Sequence, residues 1–299
     1  MDQLHLMNVF VAVAEEEGFA AAARRLDLSP AAVTRAVAGL EEQLGVKLLL
    51  RTTRNVRLTE AGARYLDDTR SILASIQEAN EAAAGVNAAP KGNLSVTAPV
   101  LFGKLFVMPC VVRFLHDYPL VDVTAYFLDR VVNLVDEGID VAVRIGHLPD
   151  SSLKALRVGQ VRRVLCASPA YLQKHSVPRH PADLLRHTII AASGISPRVE
   201  WKFGAVDDPT MVRMRPRLLV TSNDAAIDAA ATGLGICRLL SYQIADHVAD
   251  GRLEIILADY EEAPWPVHLV HRESKFGSSK VRNFIDLLAT HLRARLQQE

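Results

Sequence analysis

Residues 19–62 constrain this chain more than any other stretch, because a helical periodicity passes there directly into a strand periodicity. Ahead of them Leu6, Met7, Phe10 and Val13 recur at three- and four-residue steps, an apolar stripe along a first helix. Gly18 interrupts that pattern, residues 19–26 read as a short alanine-rich helix, and Asp27-Leu28 reads as a turn. Ser29-Pro30 then opens a third helix: a serine N-cap accepts from an orphan amide, and proline suits the first helical position, whose N–H has no partner anyway. Val33, Val37, Leu40 and Leu44 fall on the side facing the other two helices, and Ala31, Thr34, Arg35 and Ala38 on the opposite side. Gly45 ends the helix, and residues 47–58 alternate between apolar positions and Arg51, Arg54 and Arg57, as a two-stranded ribbon does. The whole is a winged helix-turn-helix pattern, which points to a grip on double-stranded DNA. Small residues let the third helix sit deep in a major groove. Ser29, Pro30, Ala31, Thr34 and Arg35 are then the candidates on this helix, with Thr34 and Arg35 reaching base edges or phosphates, and Arg51, Arg54 and Arg57 the candidates for the flanking backbone or minor groove. The alternative reading of the same residues is an ordinary helical subdomain with a solvated charged loop.

Charge decides how far this goes. The chain has 299 residues with 34 Lys+Arg and 34 Asp+Glu, so bulk electrostatics give no argument for nucleic acid. Residues 1–60 carry seven Lys/Arg and eight Asp/Glu, a net of −1. The positive bias is local: residues 45–58 hold Lys47, Arg51, Arg54 and Arg57 and no acid, as expected of an edge that docks on phosphates.

Residues 4–62 resemble the N-terminal domain of the LysR-type transcriptional regulators. The segments that carry the resemblance are FVAVAEEEGFAAAARRLDLSPAAVTRAVAGLEEQLGVKLL and RTTRNVRLTEAG, above all the run LSPAAVTRAVAGLEEQLG. Leu49 departs from the pattern, since such proteins often have Phe there or close by; leucine still fills a core site.

Residues 59–87 read as one long helix on which Leu66, Thr69, Leu73, Ile76, Asn80 and Ala83 form a heptad-like seam. That seam packs either on its own domain or against a second chain, and the resemblance implies subunit pairing through this helix. Residues 88–92 (AAPKG) read as a hinge, which leaves 1–58 as the DNA-binding domain and 93–299 as a second domain. There strand-like runs at 94–99, 121–126, 139–145, 163–167, 188–192, 213–220, 235–237, 253–257 and 267–271 alternate with helical patterns at 104–117, 130–137, 169–175, 224–232, 241–249 and 279–296. Such alternation argues for α/β layers with mainly parallel sheets. TAPVLFG (97–103), LVDEGIDVAVRIG (134–146) and SND (222–224) resemble the effector domain of the same regulators, which has the two-lobed fold of periplasmic solute-binding proteins. By that resemblance one lobe is 93–162 with 267–299 and the other 163–266.

In open α/β sheets ligands gather at the carboxyl ends of strands. The loop 97–103 offers the Thr97 hydroxyl, the amides at Val100 and Gly103 and the Phe102 ring, and amides at a helix start favour an anion. Arg144, near the end of an otherwise apolar strand, is the candidate cation for a carboxylate; the alternative is that it points to solvent or pairs with Asp140. Asp129 and Arg130 edge the same cleft or cap the segment that follows, and Gly146 ends the strand beyond Arg144. Ser222-Asn223 reads chiefly as a helix cap, with Asn223 a ligand candidate, and Trp201 and Phe203 either line the pocket or belong to a core.

Catalytic constellations are missing from the sequence: there is no GxSxG, no phosphate loop and no HExxH, and ATGLGI holds only a fragment of a dinucleotide fingerprint. Cys110, Cys166 and Cys237 lack metal-ligand spacing and read as buried thiols of a reducing compartment. Neither a signal-peptide pattern nor an apolar run of membrane-spanning length appears. The expectation is therefore a winged helix-turn-helix domain joined to a two-lobed α/β effector domain, cytoplasmic, without cofactor, metal or membrane partner. The resemblance implies a regulator that binds promoter DNA as a dimer of dimers, and whose binding answers to a small anionic effector between the lobes.

Overall fold

The computed structural model describes residues 2–51, 56–83, 89–151, 153–192, 199–204, 209–272 and 278–296; the side chain of Arg51 and several on the long helix also lie outside the described set. Arg54 therefore falls outside the described residues, and Arg51 is described by its backbone alone.

The N-terminal domain comprises α1 (Gln3–Glu15), α2 (Phe19–Arg25), α3 (Pro30–Leu44), β1 (Leu49–Arg51) and β2 (Val56–Leu58). Leu6, Phe10 and Val13 of α1 meet Val33, Val37 and Leu40 of α3 in one core that Leu48 and Leu49 close from the wing. The N-cap is as read: Ser29 Oγ accepts from the Ala32 amide at 3.2 Å. Gly45 ends α3 with φ of +66°, a left-handed conformation that glycine adopts without cost. β1 and β2 pair antiparallel, with Leu49 opposite Leu58 and Arg51 opposite Val56.

Helix α4 (Glu60–Ala83) starts against that domain. A Cβ on Gly62 would lie 2.0 Å from the Leu48 carbonyl oxygen, so only glycine lets α4 approach the wing this closely. Leu66 and Thr69 are buried, and the Tyr65 ring packs on Phe10 with centroids 5.6 Å apart. Arg25 and Arg70 both bond the Glu15 carboxylate, at 2.8 and 2.9 Å, tying α1, α2 and α4 together. The seam is thus divided. Its first turns pack on their own domain, while Leu73 and Ile76 are only partly covered and Ile72 is 43% exposed.

The larger domain holds two five-stranded sheets built to one plan. Strands β3 (Gly92–Ala98), β4 (Val121–Phe127), β5 (Val141–Ile145), β6 (Lys154–Val161) and β14 (Trp265–His271) form the first, in the order β4-β3-β5-β14-β6. Strands β7 (Arg163–Ala167), β8 (Ile189–Ala192), β11 (Leu218–Val220), β12 (Ile236–Leu240) and β13 (Glu254–Ile256) form the second, in the order β11-β8-β12-β7-β13. In each sheet two of the four pairings are parallel and two antiparallel, with β14 in the first and β7 in the second running against the other four strands. The expectation of mainly parallel sheets is corrected: β6 runs into β7 through Arg162 alone, so strands cross between the sheets without the helical return that parallel pairing needs. β9 (Val199–Phe203) and β10 (Thr210–Met214) form a separate antiparallel pair, so the single strand read at 213–220 is two elements.

Helices cover the sheets. α5 (Val100–Phe102) continues through one π-helical turn, Gly103–Val107, into α6 (Met108–Asp117), so this helix begins four residues before its expected start. The expected helix at 130–137 is absent; the segment is a series of turns in which Asn133 Oδ1 accepts from the Val135 amide, Asn133 Nδ2 donates to the Asp136 carboxylate, and Arg130 pairs with Glu137. α7 (Pro169–His175), α8 (Asn223–Ala231), α9 (Ser241–Ala249) and α10 (Ser279–Leu296) lie close to their expected positions. One apolar core runs through both lobes. Phe102 and Phe106 from the first meet Tyr242 of α9 at centroid distances of 5.2 and 5.6 Å.

Candidate nucleic-acid interface and ligand cleft

The outer face of α3 is built for a groove. Ser29, Pro30, Ala31, Arg35 and Ala38 are exposed and Thr34 is half-buried, while the apolar side of the helix is closed in the core. Neither Arg35 nor Arg57 has an ion-pair partner among the described residues, so both guanidinium groups are open to phosphate or base edges. Lys47 differs from the other wing cations. Its Nζ lies 2.6 Å from Glu41, whose other oxygen accepts from the Leu48 and Leu49 amides. Burial alone would raise the Glu41 carboxyl, but Lys47 and the two amides hold it below the usual carboxylate range. Glu41 is a structural residue that sequence reasoning missed, because a surface-looking Glu-Glu pair in a helix carries no sign of which carboxylate turns inward.

In the larger domain the carboxyl ends of the parallel strands of both sheets face one cleft of about 570 Å³. Pro99, Leu128, Asp129, Arg130 and Ile145 line it from the first lobe; Arg163, Ala192, Thr221, Asn223, Arg238, Tyr242 and Gln243 line it from the second. Asp129 Oδ1 accepts from the Val100 amide at 3.0 Å, and Asp129 Oδ2 accepts from Asn223 Nδ2 at 3.3 Å. A carboxylate of the chain itself thus occupies the helix start where an anion was expected, and it reaches the opposite lobe. Ser222 caps α8 as read, accepting from the Ala225 amide.

Six of the expected ligand residues lie elsewhere. Thr97 is buried, and its hydroxyl donates to the Tyr126 carbonyl at 2.8 Å. Phe102 and Gly103 sit inside the helix rather than before it, Phe102 in the shared core and Gly103 against the Phe127 ring. Trp201 belongs to the core beneath β9 with Phe203 and Met214. Arg144 turns to the Val132 carbonyl, to which Nη2 donates at 2.7 Å; Asp140 instead accepts from the Ser95 amide. Burial lowers the Arg144 pKa, partly offset by Glu137. Gly146, with φ of +112°, turns the chain beside Trp265 rather than lining the cleft. Asp129 and Asn223 are brought together at the cleft, and Val100 joins them through its amide.

Arg130 lines the cleft edge but is paired with Glu137; the other lining cations are Arg163 and Arg238, both of which sequence reasoning missed. Arg163 opens β7 and donates to Glu262 at 2.8 Å; Arg238, on β12, donates to the same oxygen at 3.0 Å. Burial, then the neighbouring Arg163 charge, push the Arg238 guanidinium down to about 10. Its signal in the sequence was a charged residue inside an otherwise apolar strand, the same signal that favoured Arg144. Elsewhere in this lobe Cys166 and Cys237, cross-strand partners of β7 and β12, stand 3.3 Å apart and are fully buried.

A winged helix-turn-helix joined to a two-lobed domain with a central cleft defines a DNA-binding regulator with an effector-binding domain. Comparison with known proteins agrees: residues 4–63 match the bacterial regulatory helix-turn-helix protein family model of lysR type, and residues 87–293 match the LysR substrate binding domain. The chain belongs to the LysR family of transcriptional regulators. The transcriptional activator AaeR of Escherichia coli is 31% identical over 293 residues, covering 97% of this chain and 94% of that protein. The regulator DmlR of the same organism is 31% identical over 292 residues, covering 96% and 95%. Among solved structures, CrgA from Neisseria meningitidis superposes with a TM-score of 0.62 at 30% identity, covering 96% of this chain and 98% of that one. The full-length virulence activator AphB of Vibrio cholerae gives 0.60 at 26% identity, covering 97% and 99%. No helix among the described residues is long and apolar enough to cross a membrane.

Proposed function

We propose that this chain is a cytoplasmic regulator whose α3 enters the major groove of promoter DNA, with Arg35 and Thr34 reading bases and the wing arginines, Arg51, Arg54 and Arg57, on the flanking backbone. The observation that carries this reading is the outer face of α3, where small exposed residues surround an exposed Arg35 with no ion-pair partner among the described residues. Two subunits place two such helices on one face of the duplex. The partly covered Ile72, Leu73 and Ile76 of α4 supply one pairing surface. Leu105, Met108, Val112 and Leu115, which are 37–49% exposed along α5–α6, supply a second, and two separate surfaces suit a homotetramer. A small anionic effector in the cleft favours one arrangement of the lobes, which couples cleft occupancy to DNA binding.

The test is a gel shift of the full chain on the DNA upstream of its own gene across a salt series. A discrete, competitor-resistant complex that weakens steeply with salt is expected. A complex that random DNA competes away equally well excludes operator recognition by α3.

A further inference from the structure

The cleft holds a cation whose hydrogen-bonding capacity is not met. The Arg238 side chain is 1% exposed, yet its Nε and Nη1 have no partner among the described residues; only Nη2 is engaged, with Glu262. Arg163 uses that same Glu262 oxygen, so one carboxylate serves two guanidinium groups. Aromatic faces hold both in place: Arg238 lies 4.9 Å over the Phe203 ring and Arg163 4.4 Å over Trp265. Among the described residues the other acids near them are already engaged. Glu261 is held by two bonds from Arg162 at 2.8 Å each, and Asp129 is bonded to Val100 and Asn223. Two largely desolvated positive charges therefore share one negative charge at the wall of an open cavity. An unpaired buried charge is costly, and a second anion there relieves that cost.

We propose that Arg238 and Arg163 form the anion receptor of the cleft, taking a ligand with one carboxylate on an apolar body, and that Glu262 is the internal anion with which this carboxylate competes. The proposal rests on the reading of the cleft as the effector site. Leu128, Ile145, Ala192 and Leu239 supply apolar wall, and the volume of about 570 Å³ suits a small organic acid. The position of Glu262 gives the competition a consequence. It lies on the second crossing between the lobes, between β13 and β14, while Arg162, between β6 and β7, and Arg163, the first residue of β7, lie at the first. The pairs Arg162–Glu261 and Arg163–Glu262 thus tie the two crossings side by side. A carboxylate that takes the free N–H groups of Arg238 and draws on Arg163 loosens the Glu262 tie and leaves the other intact. Occupancy is then read as freedom of the hinge.

Acetate, the smallest carboxylate, tests the receptor without assuming the shape of the effector. The full chain is titrated with acetate by calorimetry at constant ionic strength, beside Glu262→Gln, Arg238→Gln and Arg163→Gln. The intact chain binds weakly and saturably, Glu262→Gln binds about tenfold tighter because the internal competitor is neutral, and each arginine variant loses at least about tenfold. Acetate also raises the melting temperature of Glu262→Gln more than that of the intact chain. If Arg238→Gln fails to fold, the exposed-side partner Arg163→Gln carries the loss. Affinity in Glu262→Gln equal to or below that of the intact chain overturns the proposal, as does an unchanged isotherm in Arg163→Gln or an absence of saturable binding. Gel shifts on the same preparations separate the two readings. A chain that binds acetate but no operator overturns the regulator reading alone, and one that binds its operator but no acetate overturns the receptor alone.

Discussion

The cations of the DNA-binding face and those of the cleft solve opposite problems. Arg35 and Arg57 are exposed and have no ion-pair partner among the described residues, whereas the Arg238 side chain is 1% and the Arg163 side chain 27% exposed, and both lean on one carboxylate. A polyanion offers many phosphates and a cloud of counterions, so cations that meet it work best hydrated, with release of those counterions supplying the drive. A small ligand offers one charge. The cation that recognises it gains most from a dry, fixed setting, and an internal acid then keeps the empty site from carrying bare charge. The same residue type is therefore placed by burial into two functions.

The largest effect expected from this contrast lies in the cleft. Glu262→Ala leaves Arg163 and Arg238 facing each other without their shared acid, and costs about 3 kcal/mol of stability in the larger domain. Urea unfolding followed by tryptophan fluorescence checks it, because Trp201 and Trp265 are the two tryptophans of the chain and both lie in that domain. A cost below about 1 kcal/mol would place these arginines with the solvated ones of the DNA face and erase the contrast. On the DNA side Arg35→Ala costs about 2 kcal/mol in operator binding and relaxes base preference, with no change in unfolding; equal affinity for operator and its point variants would remove Arg35 from base reading. Arg57→Ala has a milder signature: the slope of log affinity against log salt falls by about one unit while sequence preference stays. A changed preference with an unchanged slope would move Arg57 from phosphate to base.

Acidification sharpens the comparison further. Burial is the main cause that holds His187, His268 and His291 below the ordinary histidine range, and all three belong to the larger domain. Their unfolded forms take up a proton near pH 6.5 while the folded forms resist it, so the stability they contribute is present above about that pH. It is lost as pH falls through the lower folded values. The lowered groups of the DNA-binding domain are Glu15 and Glu41. For each, burial works upward but is outweighed, for Glu15 by Arg25 and Arg70 and for Glu41 by Lys47 and two amides. Their contribution is complete above about pH 4.3 and is lost only as pH falls below that through the lower folded values. Between pH 7 and 5 the tryptophan-detected midpoint therefore falls first, while binding of operator DNA is kept. Loss of both together would mean that the two domains unfold as one unit.

How much of this could be read from residues alone differs between the same two regions. Ser29, Gly45 and the stripe Val33-Val37-Leu40 are local signals, since a cap, a left-handed turn and a helical period are all decided within a few residues of chain. The face of α3 left over is then exposed by subtraction, and its DNA candidates follow. The cleft has no such local grammar. Arg144 and Arg238 are both arginines inside apolar strands, and nothing nearby in sequence tells that one turns to the Val132 carbonyl while the other meets a glutamate 24 residues on. Phe102 failed as a pocket residue for a related reason: the helix begins at Val100, which rotates the ring into the core with Tyr242.

The winged helix-turn-helix, most of the helices beyond it and the family to which the chain belongs were legible in the residues alone, because hydrophobic period, caps and turns are properties of neighbouring residues; the strands at 154–161 and 199–203 were not. Only the tertiary structure settled that two of the four strand pairings in each sheet are antiparallel, that Asp129 fills the helix start, and that Arg163, Arg238 and Glu262 converge. Those outcomes depend on which distant segments share a wall and which charges that wall removes from water, and neither is set until the two crossings between the lobes have brought them together.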